Sequence, residues 1–316
     1  MHNHYVFGPV ASRRLGISLG VDPIRQKTCT LDCVYCEAGK TVELSCQRRE
    51  FAPLATVKAE LTRVLEEKPA LDYITFSGTG EPTLYRPLPE LAQWIRSTYP
   101  EYRICLLTNG TLLNDPEVRR VLEFVDLAMP NFDASNDEEL AIINRPAPGV
   151  TVQTLAEGIR KSAELYPGKL ALELFIVPGV NDSVESIERF SGYIRTFAGL
   201  RSVQLNTLDR PGVEDWVKPA PAATIRRFIA ALESFVPVEA VGRYRHRSNA
   251  LRKNVVLEEI DHRLMELLRR RSASAEDIAL TLNISPEKAR ERAEELLKAG
   301  LLCAEKMERD IFYSAV

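Results

Sequence analysis

The sequence predicts an α/β fold with a small helical module at its C-terminal end, and three observations carry that expectation. Short runs rich in Val, Ile and Leu alternate with amphipathic stretches through residue 235, the pattern of parallel βα units. The character changes near residue 246, where "HRSNALRKN" is polar and uneven and reads as a linker. Beyond residue 260 the order is helix, short helix, helix and two β-like strings. Three helices and a hairpin at these lengths predict a winged helix-turn-helix.

The β-like runs are Gly16–Asp22, Tyr73–Ser77, Ile104–Thr108, Asp126–Pro130, Ala171–Val177 and Ser202–Asn206. Helical spacing of apolar residues predicts helices near Ala55–Glu67, Pro87–Ser97, Pro116–Phe124, Thr151–Leu165, Ser183–Phe197 and Ala222–Phe235. In the second, Leu88, Leu91, Ala92 and Ile95 share one face. Six such units fit either an open doubly wound sheet or an incomplete barrel. In the C-terminal module Ser285 precedes Pro286 as an N-cap with proline at the first helical position, and Gly300 is the stop. The expected division is a βα domain over 1–245, a linker over 246–259 and the winged module over 260–316.

Composition is ordinary for a globular protein, with 45% hydrophobic and 27% charged residues in 316. A core of that size needs no metal to hold it, so any metal is expected to serve chemistry. The net charge of −3 gives no global field to recruit nucleic acid or an anionic membrane. Neither a signal-peptide core nor an 18-residue apolar run is present, so a cytoplasmic, reducing compartment is expected. There, clustered cysteines read as metal ligands or catalysts before disulfides.

"KTCTLDCVYCEAGKT", residues 27 to 41, holds three of the six cysteines. Cys29, Cys33 and Cys36 are spaced C-x3-C-x2-C. A dithiol redox pair would leave Cys29 unexplained, and a structural zinc site wants a second pair. Cys46, Cys105 and Cys303 are isolated, and the four histidines supply no second ligand pair. Three thiolates in one loop suit an iron–sulfur cube with one iron left open. An open coordination position is the mark of a catalytic metal.

With Tyr35 just before the last cysteine, this spacing resembles the signature of the radical S-adenosylmethionine (SAM) superfamily. A second motif, "FSGTGEPTLY" at 76 to 85, resembles that family's glycine–glycine–glutamate motif at the end of the second strand. Alone, "SGTGEP" also reads as a turn in which Pro82 stops a strand. The resemblance covers roughly residues 10 to 235 and implies a partial (βα)6 TIM-like barrel. It implies a [4Fe-4S] cluster held by Cys29, Cys33 and Cys36, with SAM on the fourth iron. Reductive cleavage would then give a 5′-deoxyadenosyl radical that abstracts hydrogen from a substrate the sequence does not name. Within the superfamily the chain looks like a less-defined group of Fe–S oxidoreductases loosely linked to wyosine-type tRNA modification.

By the same resemblance, Gly78, Thr79, Gly80 and Glu81 are expected at the SAM amino group. Glycine lets backbone approach a ligand, and an ionised Glu81 accepts from an ammonium. Thr108, Asn109 and Gly110 fall at the loop after the third strand, near SAM. Asn131 and Asp133 fall where the family places ribose-binding groups, and Ile176 and Val177 where adenine is lined. Gln204, Asn206 and Arg210 reach the same rim, since strand C-termini carry the chemistry of a barrel. Capping of helices and turns is the competing explanation for these polar residues. No residue is identified as the catalytic acid, base or radical quencher.

The expected partners are an electron donor such as flavodoxin or ferredoxin and an unidentified substrate, whether small molecule, peptide or tRNA. Arg13, Arg14, Lys27, Lys40, Arg48 and Arg49 flank the cysteine loop. They read as a solvated rim, as a patch for an acidic donor, or as binders of an anionic substrate. Two rivals remain: a tRNA-modifying enzyme of the same superfamily, and an iron–sulfur regulator reading nucleic acid through the winged module. DNA is disfavoured, because residues 257–316 carry 10 basic against 13 acidic side chains.

Overall fold

The computed structural model describes residues 5–12, 14–24, 26–241, 257–282, 284–307 and 310–316. Arg13, and the expected linker up to residue 256, lie outside the described residues.

A strand not anticipated from the sequence comes first. In β1 (Val6–Ser12), Gly8 and Pro9 break the alternation that would have marked it. It runs antiparallel to β2 (Gly16–Val21), with a register shift between Phe7 and Val10. A two-residue pair follows, β3 (Thr28–Cys29) beside β4 (Glu43–Leu44). Then helices and strands alternate: α1 (Leu54–Leu65), β5 (Tyr73–Phe76), α2 (Leu88–Thr98), β6 (Ile104–Thr108), α3 (Pro116–Arg119) and β7 (Leu127–Pro130). After α4 (Asp137–Ile143) come α5 (Val152–Leu165), β8 (Ala171–Ile176), α6 (Val184–Thr196), β9 (Ser202–Thr207), α7 (Ala222–Leu232) and β10 (Val238–Ala240).

All six anticipated strands are present, and β5, β7 and β8 are buried along their whole length. Such near-continuous apolar runs belong to a parallel sheet covered on both faces. Hydrogen-bonded order is β1-β2-β5-β6-β7 and β8-β9-β10. Bridges at Ala128–Leu170 and Asn131–Glu173 join β7 to β8. From β2 to β10 the parallel strands therefore stand in chain order. A doubly wound sheet reverses order at a switch point; this one does not, which is consistent with a partial TIM barrel.

Alternation along β8 shows the two faces. Leu172, Leu174 and Ile176 join the main core beneath the helices, whereas Ala171 and Phe175 belong to separate apolar groups. Caps fix the helix starts: Asn136 for α4, Thr151 with Thr154 as a capping box for α5, and Ser183 for α6.

The C-terminal unit contains α8 (Leu257–Arg270), β11 (Ala273–Ser274), α9 (Ala275–Leu282), α10 (Pro286–Lys298), β12 (Leu302–Lys306) and β13 (Ile311–Ala315). Its strands form an antiparallel sheet in the order β11-β13-β12. Ser285 caps α10 and Gly300 turns the chain with positive φ. The unit has its own core around Leu264, Leu268, Ile278 and Leu282, against which Val10 of β1 packs. No helix among the described residues is long and apolar enough to cross a membrane.

Candidate active site

The cysteine loop leaves β2 and is pinned from several sides by backbone hydrogen bonds. Asp32 and Val34 donate to the carbonyls of Asn144 and Ile143 at the end of α4, at 2.8 and 2.9 Å. Ser45 donates to Cys29 at 2.9 Å, and the Cys36 amide closes a turn on the Cys33 carbonyl. Tyr35 stacks on Phe175 with centroids 3.8 Å apart and planes at 10°. These contacts hold Cys33 and Cys36 on a stretch with neither helix nor strand, while Cys29 ends β3.

Each of the three sulfurs receives its own N–H donor. Lys27 Nζ lies 2.9 Å from Cys36 Sγ, Asn109 Nδ2 3.4 Å from Cys29 Sγ, and Asn144 Nδ2 3.3 Å from Cys33 Sγ. Burial pushes the Cys29 thiol up to about 12, with Glu81 and Cys36 adding to it and Lys27 opposing. Burial also drives Cys33 well above its ordinary range, followed by the charges of Cys36 and Cys29. Ionising these neighbouring thiols together would set like charges side by side, a cost that a bound cation relieves. Cys46 and Cys303 are exposed and Cys105 is buried in β6.

The turn after β5 packs closely on its protein neighbours. A Cβ on Gly78 would lie 2.1 Å from Asp22 Cγ, and one on Gly80 only 2.3 Å from the Thr28 carbonyl oxygen. Both glycines thus admit protein neighbours, the second being the backbone of the cysteine loop. Thr79 donates through N and Oγ1 to Asp22 at 2.9 and 2.8 Å. Glu81 is buried. Its Oε1 accepts from Thr83 N, Thr83 Oγ1 and Thr108 Oγ1, and Oε2 from the Asn109 amide at 2.7 Å. A carboxylate has about four acceptor positions, a number these four donors match. Burial raises the Glu81 pKa against all four donors. Glu81 therefore ties the turn to the end of β6.

At the end of β7, Asp133 faces the cysteine loop. It accepts from the Tyr35 hydroxyl, from Asn144 Nδ2 at 3.0 Å and from the Phe175 amide at 2.9 Å. Burial raises its pKa, with these donors opposing. Asn131 reaches Asp133 and Glu173, each at 3.4 Å. Glu173 also accepts from Asn206 Nδ2 at 3.1 Å and pairs with Arg14. Val177 packs in the apolar group containing Val34 and Phe175, whereas Ile176 turns into the main core. Among the expected lining pair, only Val177 joins the loop's apolar group. Glu173 and Asn144 escaped the sequence reading: a lone Glu inside an apolar strand and an Asn ending a short helix carry no spacing signal.

Arg210, expected at the rim, is buried to 1% of its surface and joins two parts of the chain. It contacts Glu37, next to Cys36, at 2.9 Å and Asp277 of α9 at 3.0 Å. Burial alone would lower its pKa, but the two carboxylates more than reverse this. Arg270 of α8 pairs with Asp22 at 3.0 Å and covers the Phe7 ring at 4.0 Å. Met307, past β12, packs on the apolar group that includes Tyr35 and Phe175. The C-terminal unit thus lies over the cysteine loop and the turn at residues 77–81.

Residues 24–190, which contain the cysteine loop, this turn and the ends of β6 to β8, match the family model of the radical SAM superfamily. The chain belongs to the radical SAM superfamily. A UPF0026 protein of Helicobacter pylori (strain J99) is 31% identical over 282 residues, 88% of each chain. UPF0026 protein MJ1312 of Methanocaldococcus jannaschii is 30% identical over 79% of this chain and 78% of that one. "GTPase Obg" of Brachyspira hyodysenteriae is 36% identical over 58% of this chain, but the match spans only 27% of that protein. Its named activity stays with it.

Among solved structures, a radical SAM methyltransferase from Sphaerobacter thermophilus superposes with a TM-score of 0.52 at 22% identity, covering 71% of this chain and 66% of that one. Native anSMEcpe with bound AdoMet gives 0.50 at 17% identity, covering 81% and 68%. At these identities the likeness shows the fold alone.

Membership makes this chain an enzyme whose cofactors are a [4Fe-4S] cluster and SAM. The residues fit the cluster. No three Cys, His, Asp or Glu side chains among the described residues converge tightly enough for a single metal ion. A four-iron cluster, by contrast, spreads its thiolates around a larger body. Three half-buried cysteines in one loop with a donor on each sulfur suit such an anionic, sulfur-ligated group.

Proposed function

We propose that Cys29, Cys33 and Cys36 ligate the cluster, that SAM occupies its fourth iron, and that the substrate is held between the barrel mouth and the C-terminal unit. The observation that carries this reading is the set of three cysteines pinned beside the turn at residues 77–81, each sulfur with a separate donor. When bound, cluster and SAM supply a one-electron cleavage that yields a carbon-centred radical able to take hydrogen from an unreactive position.

The chain's own residues hold and enclose. Backbone carbonyls at 78–80, beside the Glu81 carboxylate, receive the amino group. Asn131 offers polar contacts to the ribose, Asp133 fixes Tyr35 and the loop behind them, and Val177 lines the base. Thr108 and Asn109 act through Glu81 and Cys29. Asn206 and Glu173, inside the barrel, face the substrate side.

The three helices and three-stranded sheet of the C-terminal unit have the order of a winged helix. We assign it a capping role, because Arg270, Arg210 and Met307 bind it over the site. Excluding water protects a reactive intermediate. A nucleic-acid reader would leave its cations free, yet Arg292 of α10 is held by Asp261 and Glu295. The division into a barrel and a winged domain follows from the same reading.

Anaerobic protein reconstituted with iron and sulfide, then given dithionite and SAM, is expected to release 5′-deoxyadenosine, detected by chromatography. Salt-sensitive nucleic-acid binding by cluster-loaded protein that releases none would contradict the reading.

A further inference from the structure

We propose that Lys27 tunes the reduction potential of the cluster through its contact with Cys36, making it a positioning residue for electron entry. This rests on the ligand assignment above. Lys27 sits just before β3 and is 6% exposed. Its Nζ donates to Cys36 Sγ at 2.9 Å and to the Gly39 carbonyl. Fixing so flexible a side chain and drying an ammonium are both unfavourable unless a partner offsets them. Neither of these two acceptors is a carboxylate. The ammonium's positive charge is therefore offered to the sulfur.

Charge accounting gives the direction. With three thiolate ligands, one-electron reduction takes the cluster from one net negative charge to two. Burial opposes that second charge. So do the carboxylates of Glu81 and Asp133, which reach Cys29 and Cys33 through the shared donors Asn109 and Asn144, whereas the Lys27 ammonium acts in the opposite sense. Hydrogen bonds to cluster sulfurs raise the potential, and a charged donor does so more than a neutral one. Asn109 and Asn144 contribute as neutral donors, but Asn109 also binds Thr30 at 2.7 Å and Asn144 also binds Asp133. Lys27 is the cleaner probe.

The test is an EPR-monitored potentiometric titration of reconstituted full-length protein without SAM, at matched iron and sulfide content per chain. In Lys27→Met the midpoint is expected to move to more negative values. At a fixed poise the ratio of reduced to oxidised cluster should fall about tenfold, which is 59 mV for one electron. Lys27→Gln, keeping a donor without the charge, should fall between, and Lys27→Arg should return towards the parent. A Met variant that takes up a full cluster with an unmoved midpoint overturns the inference and leaves the ligand assignment intact. If the Met variant takes up no cluster, Gln against Arg decides: a more negative midpoint for Gln supports the inference, and equal midpoints overturn it. A parent protein that takes up no cluster overturns the ligand assignment itself, and this inference with it.

Discussion

Cys29→Ala, Cys33→Ala and Cys36→Ala are each expected to abolish 5′-deoxyadenosine formation and to remove most of the bound iron. Loss of an outer partner of a metal ligand typically costs 10–100-fold in affinity or activity, and loss of a ligand should exceed that. Cys46→Ala should change neither readout, because Cys46 is exposed and separate from the three donors. Iron analysis beside chromatography checks both. A single alanine variant that keeps full iron and product formation would show that the cysteines are not ligands. The prediction separates the cysteine loop from cysteine content in general.

The second large effect is expected at Arg210→Met. Removing one partner of a buried ion pair costs about 3–5 kcal/mol, because the remaining charge is left dry. Here two carboxylates would be stranded. Asp277 is mostly buried, but Glu37 keeps a third of its side chain in water and can rehydrate. The lower end, about 3 kcal/mol, is therefore expected. The loss should fall on the joint between the C-terminal unit and the cysteine loop. Limited proteolysis should cut the variant near this joint faster than the parent, and the rate of uncoupled 5′-deoxyadenosine release should rise as C–H or S–H hydrogen donors from the buffer gain access. Parent-like proteolysis and thermal stability would mean that Arg210 does not secure the cap.

The fold was legible where periodicity is strong. The inner strands are rich in apolar residues and mostly buried, and helices such as α2 and α5 bury one face, so pattern alone located them. β1 was not legible, because Gly8 and Pro9 interrupt its alternation. Nor were α4 and β10, too short for a period to develop. Sheet order could not be read from period at all; it depends on which strands pair, as the Asn131–Glu173 bridge does for β7 and β8.

At the site, the cysteines were legible because their chemistry constrains spacing within one loop. Roles assigned to single residues after strands fared differently. Gly78, Thr79, Gly80, Glu81 and Asp133 do stand around the cysteine loop, yet Thr79, Glu81 and Asp133 spend much of their hydrogen-bonding capacity on Asp22, Thr83, Thr108 and Tyr35, and the two glycines lie tight against Asp22 and Thr28. Such pairings join residues far apart in the chain and leave no local mark. The donors on the sulfurs show the same limit: Asn144 reaches Cys33 across 111 positions.

The most direct measurement is the EPR spectrum of the reduced, reconstituted protein recorded with and without SAM. A cluster with one iron left to the nucleotide must change its signal when SAM is added. A spectrum indifferent to saturating SAM would mean that the protein itself completes the coordination, and the enzymatic account of this site would be wrong.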